Sequence, residues 1–94
     1  MVVDPMCHSV SIDGRIVSLT VKEFDILHFL ASHPEIVFSK EQIYTHVWNE
    51  EYMYTSTSVS DCISSIRSKL GLSPKDGRYI QTVFGVGYRF REPQ

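Results

Sequence analysis

The chain has 94 residues, 43% of them hydrophobic, and a formal net charge of −2 from nine Lys and Arg against eleven Asp and Glu. That length and apolar share suit one small domain with a single core and exclude a disordered chain; no apolar run approaches the ~20 residues of a membrane span, and MVVDPMCH lacks the basic-then-apolar order of a signal peptide. Taken whole, the slightly acidic balance argues against a polyanionic partner.

In chain order, residues 2–19 read as short strands. Met6 to Ile12 alternates weakly, Asp13-Gly14 is a tight-turn signal, and Arg15 to Leu19 is β-branched and apolar. Thr20-Val21-Lys22-Glu23 is a capping box that opens a helix. Phe24, Ile26, Leu27, Leu30 and Ala31 give this helix a broad buried arc, and Pro34 ends it near Ser32. A second capping box, Ser39-Lys40-Glu41-Gln42, starts a second helix with Ile43, Tyr44, Val47 and Trp48 as its apolar stripe. Asn49 to Thr55 is an aperiodic polar and aromatic loop. The spacing predicts a third helix from near Ser56 to Leu70, with Gly71 as a left-handed C-cap. Leu72 to Gly77 is a loop with Pro74 and a second Asp-Gly signal. Arg78 to Phe84 and Tyr88 to Arg91 are strands, joined by a Gly85-Val86-Gly87 turn that needs positive φ or close backbone approach.

The third helix is the most informative element. Val59, Ile63, Ile66 and Leu70 share its core stripe. Thr57, Asp61, Ser64 and Ser68 lie opposite, with Ser65 beside them and Arg67 and Lys69 on the flanks. An ordinary solvent face favours Glu, Lys and Gln over Ser and Thr. Small polar side chains instead let a helix come close to another surface, such as a DNA major groove.

Charge is distributed to match. Residues 1–50 hold three basic and seven acidic side chains, a balance of −4, and residues 51–94 hold six and four, a balance of +2. From Thr57 to Arg91 there are six basic and two acidic residues, a balance of +4. With Arg78, Arg89 and Arg91 on the final hairpin, the pattern has the geometry of a winged helix-turn-helix. The competing reading is a solvated Ser-rich helix beside an ordinary hairpin.

Four ordered segments also resemble the OmpR/PhoB-type effector domain of bacterial two-component response regulators. Leu19 to Leu27 is similar to its "LTxxEFxLL" opening, and Ser39 to Ile43 with Val47-Trp48 is similar to "SREQL…VW". Val59, Ile63, Ile66, Arg67, Lys69, Leu70 and Gly71 match "VxxxIxxLRxKLG", and Ile80 to Phe90 resembles "IxTVRGVGYRF". The likeness runs from about Met6 to Phe90. It implies an α+β winged helix with a four-stranded antiparallel N-terminal sheet, a three-helix core and a hairpin wing. It also implies sequence-specific duplex binding for transcription regulation in a phosphorelay, as a dimer on direct-repeat half-sites. By the same likeness, Trp48 and Arg67, with Thr82 and Tyr88 of the wing, contact the DNA backbone, and Thr57, Asp61, Ser64 and Ser65 face bases or phosphates. Ser68, Lys69, Phe84 and Arg89 complete the expected DNA surface. The loop at Asn49, Glu50, Glu51, Tyr52, Met53 and Tyr54 corresponds to the segment that touches RNA polymerase. A receiver domain and a cognate histidine kinase are the implied partners of a full-length protein. No receiver pocket is present in the chain, which reads as one effector domain over 1–94, either an excised fragment or a stand-alone protein.

Several positions depart from the family pattern. Thr57, Ser65 and Phe84 stand where many members have Arg, and Cys62 where many have His. Each missing cation removes roughly one phosphate contact and about one unit of salt slope, so weaker and less salt-sensitive binding than a basic member shows, or a greater need for dimerisation, is expected.

Residue by residue, rival roles remain open. Trp48 closes the second helix, or offers its indole N–H to a phosphate. Asp61 complements the helix dipole, or accepts from cytosine N4. Thr82 is a strand residue or a phosphate donor; Phe84 packs, or touches sugar or a thymine methyl. Cys7 and Cys62 read as small thiols in a reducing cytoplasm, and His8, His28, His33 and His46 have no metal-ligand spacing. No nucleophile–base set or phosphate loop suggests an enzyme, and no cofactor is implied. The alternative function is a protein-interaction winged helix with little DNA affinity.

Overall fold

In the computed structural model residues 1–53, 57–72 and 78–91 are described. Tyr54, Thr55, the expected helix start at Ser56, and most of the loop expected over 72–77 lie outside them.

The N-terminal segment folds as β1 (Val2–Asp4), β2 (Ser9–Ile12) and β3 (Arg15–Ser18), an antiparallel sheet in the order β1-β2-β3. Asp13 and Gly14 both take positive φ, 50° and 77°, which makes the tight β2–β3 turn that Asp-Gly favours. Val10 pairs with Val17 and faces inward, whereas Val2, Ser11 and Ile16 form a row on the outer face. The four-stranded N-terminal sheet implied by the family likeness is corrected to three strands. Residues 2–18 form three short strands joined by two tight turns.

Both capping boxes form. Helix α1 (Val21–Ala31) is capped by Thr20, whose hydroxyl accepts from the Glu23 amide while the Glu23 carboxylate accepts from the Thr20 amide. Helix α2 (Lys40–Trp48) is capped in the same way by Ser39 and Gln42 and ends at Asn49 in the left-handed conformation. Helix α3 (Ser58–Leu70) starts after Thr57, two residues later than the predicted Ser56, and ends at Gly71 with φ 74°. Strands β4 (Tyr79–Val83) and β5 (Gly87–Arg91) make the C-terminal hairpin.

One core joins these layers. Val10, Ile12 and Val17 of the sheet meet Ile26, Leu27 and Leu30 of α1, Ile43 of α2, Val59, Ile63, Ile66 and Leu70 of α3, and Ile80 and Phe90 of the hairpin. The α3 stripe predicted from periodicity is buried throughout, whereas Ala31 of α1 and Val47 and Trp48 of α2 are only half-buried at the core's edge. No helix among the described residues is long and apolar enough to cross a membrane.

The hairpin is fastened at its root. Phe38 and Tyr88 exchange two backbone hydrogen bonds of 2.9 Å each, and the Glu35 amide donates to the Phe90 carbonyl. Gly87 allows this approach: a Cβ there would overlap the Phe38 carbonyl. Across the tip the Val86 amide donates to the Val83 carbonyl, and Gly85 takes φ 78°.

Candidate nucleic-acid interface

Thr57, Asp61, Ser64 and Ser68 are all exposed on one side of α3, with Ser65 half-buried at its margin. Val59, Ile63, Ile66 and Leu70 are buried on the other side. The Thr57 hydroxyl donates to Asp61 Oδ2 at 2.9 Å, which holds the Asp61 carboxylate at the start of the helix.

Arg67 departs from its expected place on a flank. It is only 7% exposed. Its Nη2 donates to the Ile80 carbonyl at 3.0 Å and to Thr82 Oγ1 at 2.7 Å, and its guanidinium carbon lies 5.9 Å from the centre of the Tyr88 ring. The physical reason is that β4 offers a carbonyl, of Ile80, and a hydroxyl, of Thr82, within hydrogen-bond reach of the Arg67 guanidinium. The long Arg67 side chain reaches both acceptors with one nitrogen, Nη2. Arg67 Nε is buried without a partner among the described residues. Burial draws the guanidinium below its ordinary pKa, partly offset by Tyr88.

Lys69 is exposed, but its ammonium is 2.6 Å from Glu23 Oε1, which also accepts from the Thr20 amide. Glu23 therefore caps α1 and ties α1 to α3 across 46 residues of sequence. Burial raises the Glu23 pKa, but hydrogen bonds from Lys69, Ser65 and the Thr20 amide, with the Lys69 charge, outweigh it and hold the group at about 2. A carboxylate depressed in the folded state stabilises the fold above its unfolded pKa near 4.5, and that contribution disappears as pH falls towards 2. Relative to Glu23→Gln, the wild type is expected to be more stable by on the order of 2 kcal/mol at pH 7, discounted for the half-exposed ammonium. Urea unfolding of both proteins across this pH range checks the sign; a gap as wide at pH 2 as at neutral pH would reject it. The same neighbourhood governs Cys62: burial and the nearby Glu23 and Asp61 charges push its thiol up, keeping it protonated. Both cysteines are free thiols.

On the wing, Thr82 is half-buried and accepts from Arg67, while its own hydroxyl hydrogen is left to donate elsewhere. Tyr88 is buried against the Phe38 segment. Arg89 Nε donates to Gln81 Oε1 at 2.6 Å, its directly opposed strand partner, and Arg89 and Arg91 each lie 3.8 Å from Glu35. Phe84 stands alone at the tip, 92% exposed.

Trp48 is half-buried. It stacks on Tyr44 at 4.8 Å, with Lys22 Nζ 5.4 Å from its ring centre. The loop beyond it begins at Asn49. The Tyr44 hydroxyl donates to Glu50 at 3.3 Å, the Tyr52 ring sits edge-on to Tyr44, and Glu51 and Met53 are exposed. Among the described residues no His, Cys, Asp and Glu group is arranged to hold a metal ion.

Two participants escaped sequence reasoning. Glu35 carries no local sequence signal, since its partners Arg89 and Arg91 lie 54 and 56 residues away. The Gln81–Arg89 pair, by contrast, was readable: a hairpin centred on Gly85 places those two positions opposite each other.

A three-helix core capped by a sheet, with a hairpin bonded directly to the third helix, is a winged helix-turn-helix. Residues 14–90 match the family described as "Transcriptional regulatory protein, C terminal", and the chain belongs to this family of OmpR/PhoB-type effector domains. The chain is 39% identical over 89 residues to the transcriptional regulatory protein ResD of Bacillus subtilis (strain 168), covering 94% of this chain and 37% of ResD. It therefore spans little more than a third of that relative. Among solved structures, the Klebsiella pneumoniae RstA DNA-binding domain in complex with the RstA box is similar with a TM-score of 0.86 and 29% identity, over 95% of this chain and 88% of that one. The DNA-binding domain of CpxR from E. coli is similar with a TM-score of 0.80 and 30% identity, over 98% and 90% of the two chains.

Proposed function

We propose that the domain binds double-stranded DNA at specific sequences and thereby regulates transcription, with α3 in the major groove and the β4–β5 wing in the adjacent minor groove. The observation that carries this reading is the outer face of α3, where Thr57, Asp61, Ser64 and Ser68 are exposed together. Their small size admits a duplex closely, and their hydroxyls and carboxylate can address base edges or phosphates. The likeness to the DNA-bound RstA domain supports it.

Within this reading Asp61 accepts from a cytosine N4, held in place by Thr57. Ser65, Lys69, the Trp48 indole, the Thr82 hydroxyl, Tyr88 and Arg89 serve the backbone. Arg67 serves it indirectly, by setting the angle between helix and wing. Two copies bind direct-repeat half-sites as a dimer, and the loop of residues 49–55 meets RNA polymerase. In a full-length protein, a receiver domain governed by a histidine kinase controls the effector in the cytoplasm.

Titration of labelled duplexes by fluorescence anisotropy tests the reading. Binding should weaken with salt, with a shallow log–log slope on the order of −3, because Arg67 is withdrawn from the phosphates. A domain that shows no salt-dependent duplex binding is not a DNA reader. Asp61→Asn should change the preferred base at one position in sites selected from a random duplex pool, and should cost about 1–3 kcal/mol on the original site. Unchanged preference would remove Asp61 from base readout.

A second reading has one observation in its favour. Arg67, Lys69, Arg89 and Arg91, all between Thr57 and the end of the wing, are engaged within the fold. A winged helix with its cations so occupied suits a protein partner, and the same titration separates the two.

A further inference from the structure

The wing tip carries an apolar ring where a nucleic-acid surface would ordinarily carry a cation. Phe84 is 92% exposed and Val86 57%, on either side of Gly85. Taking this ring out of water would be favourable, and no described residue of the fold does so. The arm that carries it is stiff. Five pairs of residues oppose one another from Tyr79–Arg91 to Val83–Gly87, and the turn is closed by the Val86–Val83 hydrogen bond. At the root, Phe38 and Tyr88 exchange backbone hydrogen bonds, and Arg67 binds both Ile80 and Thr82. The hairpin therefore cannot swing independently of α3, and placing α3 on a duplex also places the ring.

A benzyl side chain has no charge for a phosphate and no donor for a base edge. Its gain comes from leaving water and stacking against a base face. A minor-groove contact of that kind is a wedge that partly unstacks one base step and kinks the duplex towards the major groove. Opening is cheapest at pyrimidine–purine steps, so a wedge reads sequence through deformability rather than hydrogen bonds.

We propose that Phe84 is such a wedge: it inserts at a flexible pyrimidine–purine step beside the site read by α3, bends the DNA, and contributes specificity there. The inference rests on the DNA-binding reading above. It also gives a role to Phe84 at a position where many family members carry Arg: direct phosphate attraction is replaced by shape selection.

The test uses the whole chain and a duplex selected by it from a random pool, with 2-aminopurine placed in turn at each step next to the α3 site and dyes at the two ends. Wild-type binding should brighten 2-aminopurine at one step and bring the dyes closer. Phe84→Ala should lose both signals and bind roughly tenfold more weakly, with an unchanged salt slope. Phe84→Trp should keep them, and Phe84→Arg should lose the brightening and gain about one unit of salt slope. Because the ring is exposed, these variants should melt with the wild type. Wild-type binding with no brightening at any step, or Phe84→Ala binding with wild-type affinity and bend, overturns the wedge while leaving DNA binding intact. If the wild type fails to bind any duplex even at low salt, the underlying reading falls as well, and an exposed ring that instead governs capture by a protein partner assigns the tip to that partner.

Discussion

Gly87→Ala is expected to loosen the wing from the body of the domain and to cost on the order of 4 kcal/mol, which for a domain of this size lowers the melting temperature by roughly 20 °C. A methyl group at this position overlaps the Phe38 carbonyl, with the Phe38 carbonyl carbon and Ser39 Cα also within 3 Å. These are backbone atoms and cannot rotate away as a side-chain end could. To relieve the overlap, β5 must retreat from Phe38 and give up the paired hydrogen bonds between Phe38 and Tyr88. Phe90 and Ile80 would follow, and both belong to the core. Thermal unfolding by circular dichroism measures the loss. A melting point within a few degrees of wild type would show that the segment before α2 does not anchor the hairpin.

Arg67→Ala carries the second large effect. It removes a buried cation and leaves the Ile80 carbonyl without one of its donors and Thr82 without its own. Hydrogen bonds to a charged group contribute about 1.5–3 kcal/mol, so unfolding free energy should fall by about 3 kcal/mol. DNA binding should weaken as well, yet with the salt slope unchanged, since a strut between α3 and β4 releases no counterion. A phosphate clamp would behave differently: stability near wild type and a slope shallower by about one unit. Arg67→Lys sharpens the contrast, because a point-like ammonium keeps the charge but lacks the planar fork that reaches two acceptors at once. It should restore only part of the stability. Denaturant unfolding and anisotropy titrations at several salt concentrations decide between strut and clamp.

Much of the candidate interface was legible because its signals are local. The Ser39 and Thr20 capping boxes each lie within four residues, and both form as read. The α3 stripe of Val59, Ile63, Ile66 and Leu70 follows from 3.6-residue periodicity, and the exposure of Thr57, Asp61, Ser64 and Ser68 is its complement. Gly71, Gly85 and Gly87 could each be assigned a reason from their flanking residues, and the two kinds of reason anticipated for the final turn divide between Gly85, by φ, and Gly87, by close approach. The N-terminal sheet was harder to read. Strands of three or four residues give periodicity too little length to count them, and the family likeness supplied one too many.

The sequence alone determined where α1 and α2 begin and where α3 ends, which helix faces are apolar, and that positive charge gathers towards the C-terminal third. These follow from interactions between residues a few positions apart or from composition. Tertiary structure decided which of those charges face outward. Arg67 turned inward because β4, 13 to 15 residues further on, brought two acceptors to it. Lys69 met Glu23 across 46 residues, and Arg89 and Arg91 met Glu35. A charge in a sequence is only a potential partner; the packing of distant segments fixes its real one. The +4 segment therefore overstates the free positive charge that the folded domain presents, and the exposed Phe84 at the end of a rigid wing stands out against it.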